Sequence, residues 1–112
     1  AAGTEMKTCR LGDAEGGLEV IIEDGVAKMP DRSCFAGSVA TMNRLVRNMV
    51  RLAGVPLPES VRMATATPAK LMGIEKKKGT LAPGLDADIV IFDENIDVKT
   101  VMVRGEIVFQ AE

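Results

Sequence analysis

Apolar and polar positions change rhythm twice along this chain. Leu18-Glu19-Val20-Ile21-Ile22-Glu23 reads as a strand, and Val26-Ala27-Lys28-Met29 as a second. Asp24-Gly25 lies between them, and both residue types suit the left-handed corner of a tight hairpin. Pro30-Asp31-Arg32 ends the second strand. A helical rhythm follows. Val39, Met42, Val46, Met49, Val50 and Ala53 form one apolar stripe. Ser38 reads as the N-cap that opens this helix, and Gly54 followed by Pro56 as its end. Arg44, Arg47 and Arg51 fall on another face and read as solvated. A second helix is expected from Pro58 to about Ala64. Thr67-Pro68 restarts a third, which Gly73 closes.

Beyond Gly73 the rhythm becomes that of strands. Glu75-Lys76-Lys77-Lys78 reads as an exposed surface loop, and Gly79 to Gly84 is rich in turn formers. Ala87 to Phe92 is a continuous apolar run, expected as a strand buried on both faces. Val98 to Val103 and Glu106 to Phe109 are two more strands around Arg104-Gly105. The resulting order is hairpin, helices, then three strands. The last segment has roughly 35 residues, too few for a core of its own. No repeat or low-complexity tract interrupts the chain.

Composition narrows the function. The chain has 112 residues, with 46% hydrophobic and 27% charged positions, as a folded domain requires. Three Phe, no Trp and no Tyr leave few rings for stacking on bases. A net charge of −2 does not suit a phosphate-backbone binder, so no nucleic-acid partner is expected. No apolar run approaches the about 20 residues that span a bilayer, so no membrane partner is expected either. Residues 1–7 have no apolar centre and do not read as a signal peptide. Cys9 and Cys34 are too few and too far apart for a zinc site. They read as buried or half-buried thiols of a cytoplasmic protein.

There is no histidine. That removes Ser-His and Cys-His nucleophile pairs and any imidazole metal ligand. Asp86, Asp88 and Asp93 cluster around one strand and could be drawn as a hard-metal site. Turn and strand-end chemistry accounts for them better. Phe35-Ala36-Gly37-Ser38 is the other candidate. Small residues there would let a ligand approach the backbone, and a helix start would offer free N–H groups. Gly-Ser ahead of a helix is also an ordinary cap.

Several blocks carry a family resemblance. Gly79-Thr80-Leu81-Ala82-Pro83-Gly84-Leu85-Asp86-Ala87-Asp88, running into Ile89-Val90-Ile91-Phe92-Asp93, resembles the return from barrel to small β domain in the amidohydrolase superfamily. Three further blocks resemble the C-terminal portion of its N-acetylglucosamine-6-phosphate deacetylases. They are Ala1-Ala2-Gly3, Phe35 to Met42, and Met63 to Glu75; Val101 to Gly105 matches a return strand. The resemblance implies the C-terminal end of a (β/α)8 barrel (hairpin and last helices, residues 1–73). It further implies strands of a small β-sandwich domain (residues 74–112), incomplete as a fold alone. It implies hydrolysis of N-acetylglucosamine 6-phosphate to glucosamine 6-phosphate and acetate, by a full-length enzyme using a divalent metal such as zinc.

By the same resemblance the catalytic Asp and the metal ligands lie upstream of Ala1. This chain then carries no catalytic and no metal residue and is inactive alone. Phe35, Ala36 and Gly37 are the implied substrate contacts. Phe35 stands for the family's usual Leu, and Asp31-Arg32-Ser33-Cys34 departs from its simpler Asp-Gly-Thr. The missing N-terminal barrel portion, an amino-sugar phosphate substrate and a homo-oligomer are the implied partners. Two rivals remain: another amidohydrolase of the dihydroorotase or adenine deaminase type, and a non-catalytic structural or interaction module.

Overall fold

The computed structural model describes residues 8–13 and 15–112. The resemblance at Ala1-Ala2-Gly3 lies outside the described residues. The chain is mixed α/β and divides into two compact units, residues 1–41 and 42–112.

The first unit is an antiparallel sheet with strand order β1-β2-β3-β4. Its strands are β1 (Thr8–Leu11), β2 (Leu18–Glu23), β3 (Val26–Lys28) and β4 (Phe35–Gly37). The β2–β3 hairpin has the expected corner. Asp24 and Gly25 have φ of 53° and 74°, the pair of left-handed residues whose twist matches that of the flanking strands. Val20, Ala27 and Val39 are buried, with Cys9, Leu11, Ile22 and Ala36 packed against them.

Two expectations change here. The segment Phe35–Gly37 is a strand rather than a helix opening, and the first helix begins only at Met42. Val39 lies in this core instead of starting a helical stripe. Ser38 does not cap the helix: its hydroxyl accepts from the Ala40 N–H at 3.1 Å. That local bond competes with helical geometry and holds the chain in a turn. Cys34 is exposed rather than buried, and both cysteines are free thiols.

The second unit contains α1 (Met42–Arg51), α2 (Leu57–Ala64) and α3 (Ala66–Leu71). An antiparallel sheet follows: β5 (Ile89–Phe92), β6 (Val98–Val103) and β7 (Glu106–Gln110), in that order. Pro58 sits in the first turn of α2, where its missing N–H costs nothing. At the end of α3 the Ile74 N–H donates to the Ala69 carbonyl at 2.9 Å and the Gly73 N–H to Lys70 at 3.1 Å. This Schellman closure satisfies carbonyls the helix leaves open. No helix among the described residues is long and apolar enough to cross a membrane.

The β5 run is not buried on both faces. Val90 and Ile91 are 52% and 54% exposed. The register explains the continuous apolar pattern. Val90, Val101 and Phe109 line up across one face, and Ile89, Met102 and Ile107 across the other. A sheet apolar on both faces needs two covering layers, and this unit supplies only its helices.

Candidate functional site

Phe35, Ala36 and Gly37 form an edge strand, since β4 closes one end of its sheet. Pairing runs Lys28 to Phe35 and Ala27 to Gly37. One step on β3 thus faces two on β4, which makes Ala36 the extra residue of a β-bulge. The Phe35 side chain is 75% exposed, while Ala36 packs against the core of its unit. Gly37 is exposed with φ +154°, where L side chains rarely go. The three predicted residues are therefore brought together on one strand. At Ala36 and Gly37 their chemistry is that of an edge backbone with little side-chain bulk, and the exposed Phe35 ring lies beside it in the strand.

In the second unit a groove of about 860 Å³ runs between helices and sheet. Its lining is largely apolar, including Val46, Val61, Ala69, Val101 and Met102. Lys78, Asp86 and Asp88 contribute its charged groups. They are bound to one another. Lys78 Nζ pairs with Asp86 at 3.0 Å and, closer still, with Asp88 Oδ2. Asp88 Oδ1 accepts the Arg104 N–H at 2.8 Å and so holds the β6–β7 turn. The hydrogen bond from Lys78, then that from Arg104, keeps the Asp88 carboxyl below its ordinary range. The same carboxylates raise Lys78, Asp88 first. Lys78 is thus not one more solvated residue of a lysine run.

Asp93 closes the other end of β5. Its Oδ1 accepts the N–H groups of Asn95 at 2.9 Å and Asp97 at 3.0 Å, and Lys99 lies 3.2 Å from Oδ2. The backbone N–H of Asp97 is the main reason its carboxyl is held low. With their oxygens engaged by N–H groups and ammonium, these aspartates do not fit a metal ion. Among the described residues no three His, Cys, Asp or Glu side chains are grouped to hold one.

The β5–β6 loop shows what the arginines do. Arg47 Nε donates to the Asn95 carbonyl at 2.6 Å, and its terminal nitrogen to the Ile96 carbonyl at 3.2 Å and Asp97 Oδ1 at 2.5 Å. Arg51 donates to Asn95 Oδ1 at 2.7 Å. Two of the three arginines expected to be solvated therefore hold a loop more than 40 residues away. Only Arg44 keeps the role that helical spacing suggests, as an exposed residue of α1. Spacing on a helix reveals a face but not what lies opposite it. The paired acceptors of Asp93-Glu94-Asn95-Ile96-Asp97 were the available hint.

Comparison with known proteins gives a consistent result. A sequence model of the amidohydrolase family matches residues 10–108. The N-acetylglucosamine-6-phosphate deacetylase of Bos taurus is 35% identical over 97 residues, covering 87% of this chain and 24% of that protein. The crystal structure of the Pasteurella multocida N-acetylglucosamine-6-phosphate deacetylase superposes with a TM-score of 0.84 at 29% identity. It covers 95% of this chain and 27% of that one. A mutant deacetylase from Mycobacterium smegmatis, solved in complex with N-acetyl-D-glucosamine-6-phosphate, gives a TM-score of 0.77 at 32% identity. That match covers 96% of this chain and 28% of the other. The chain thus spans about a quarter of the length of the proteins it matches.

Proposed function

The chain belongs to the amidohydrolase family, and we propose that it is the C-terminal part of an enzyme that deacetylates N-acetylglucosamine 6-phosphate. The observation that carries this reading is the match to such deacetylases over 87% of the chain in sequence and 95% in structure. In this reading residues 1–73 end the catalytic barrel and residues 74–112 give strands to a small β-sandwich. The two-faced sheet supports the second half, because β7 is exposed along its length and needs a cover.

The part this chain plays in the reaction is to shape the substrate side of the site. The β4 edge can approach a sugar closely, since Ala36 and Gly37 add almost no bulk. Phe35 offers an apolar surface next to them. In this reading the acid–base group and any metal lie on residues outside these 112, and Asp88 and Asp93 spend their carboxylates on turns. The metal would polarise the acetamide and its attacking water.

Purified alone, the 112-residue chain is expected to release no acetate from N-acetylglucosamine 6-phosphate above the uncatalysed rate, with zinc added. The longer protein that contains it is expected to turn the substrate over. Turnover by the short chain would overturn the division of labour. A longer protein that ignores the sugar but hydrolyses dihydroorotate or deaminates adenine would replace the substrate assignment.

A further inference from the structure

The loop between β3 and β4 holds a backbone conformation that its residue does not favour. Arg32 has φ +59°, where the Cβ of an L residue crowds its neighbouring carbonyl. The loop is closed just before Phe35 by the Met29 N–H donating to the Cys34 carbonyl at 3.0 Å. Pro30 sets the corner, and the Arg32 N–H donates to the Met29 carbonyl at 2.8 Å. Asp31 Oδ1 accepts from the Ser33 N–H at 3.0 Å and from its hydroxyl at 2.7 Å. None of these bonds uses the Arg32 side chain.

That side chain reaches back to Glu23, the last residue of β2. Nε donates to Oε2 at 3.0 Å and a terminal nitrogen to Oε1 at 2.6 Å. Two parallel bonds from a planar guanidinium fix direction as well as distance. The side chains of Arg32 and Glu23 are 60% and 36% exposed, so the pair adds little to overall stability. Its effect is on geometry. It ties the left-handed loop residue to a strand that is already held in the sheet.

We propose that the Arg32–Glu23 fork is a positioning pair for β4, holding the turn at Arg32 and thereby the stance of Phe35–Gly37 toward the substrate. This rests on the reading of Phe35–Gly37 as a substrate contact. In this proposal both act through the loop and β4 rather than on the substrate itself. A glycine at position 32 would adopt the same backbone without a strap.

Three variants of the complete enzyme test this: Glu23→Gln, Arg32→Gly and the double substitution. Glu23→Gln is expected to raise KM about threefold to tenfold while kcat stays within about twofold. Amide hydrogen exchange at residues 34–37 should quicken in the same variant. Arg32→Gly should stay within about twofold of the parent, and the double variant should match it. KM and exchange unchanged in Glu23→Gln, or a double variant as impaired as Glu23→Gln, would overturn the proposal. Should the parent enzyme fail to deacetylate the sugar phosphate, exchange still decides. Quickening that the second substitution reverses upholds the pair and rejects only the substrate reading.

Discussion

Replacing Gly79 with alanine is expected to destabilise the second unit by about 2–5 kcal/mol, combining backbone strain with overpacking. Gly79 has φ +100°, and a Cβ built there would lie 2.6 Å from Ala69 Cβ. It would also lie 3.2 Å from Ala66 Cα and 3.3 Å from the Thr65 carbonyl. Those atoms belong to α3 and its start, so none can swing away as the end of a long side chain would. Gly84 is the control. It has φ +88° but no atom within 4 Å of its built Cβ, so alanine there meets strain alone. Urea unfolding followed by far-UV circular dichroism should give a lower midpoint for Gly79→Ala than for Gly84→Ala. Equal midpoints would show that α3 yields more easily than its backbone contact suggests.

The second large effect is expected at Arg47. Arg47→Met keeps most of the aliphatic stem and removes every donor. Three acceptors on the β5–β6 loop then lose the Arg47 donor, at a cost of about 2–3 kcal/mol for charge-assisted bonds. The loop is sensitive because Ile96 has φ +62° and is only 5% exposed. A β-branched residue in that region is a true outlier. Its N–H donates to the Asp93 carbonyl at 2.9 Å, and its own carbonyl receives Arg47 and Asn43. Arg44→Met, on the same helix but exposed, should change stability by no more than about 0.5 kcal/mol. Thermal melts of the two variants side by side would check this. A loss at Arg44 equal to that at Arg47 would mean that helix α1, not the loop, responds to the charge.

These two residues also show what the sequence does and does not disclose. Local chemistry was readable. Asp24-Gly25 and Arg104-Gly105 announce their hairpins because a two-residue corner needs left-handed residues. Pro58 and Gly73 bound helices for reasons contained within a few positions. Distant partners were not readable. Nothing near Arg47 in the chain reveals that carbonyls at 95 and 96 will face it. The β4 segment misled for a related reason. Ser38 carries a strong cap signal, but its hydroxyl closes a turn to Ala40 instead. Sheet pairing with β3 claims the residues before it. The candidate contact residues could be named from the sequence, while their strand and bulge could not. The strand Thr8–Leu11 had no signal of its own, because its four residues gain their place from pairing with β2.

The sheet that is apolar on both faces has a bearing on how tolerance to mutation should be measured. Ile107 and Phe109 are 58% and 48% exposed in this chain. A deep mutational scan that reads abundance of the 112-residue chain would score polar substitutions there as neutral or helpful. The same scan in the longer protein would score them as damaging wherever a second sheet covers β7. The sites at which the two scans disagree would trace whatever surface covers β7, residue by residue, without a structure of the whole.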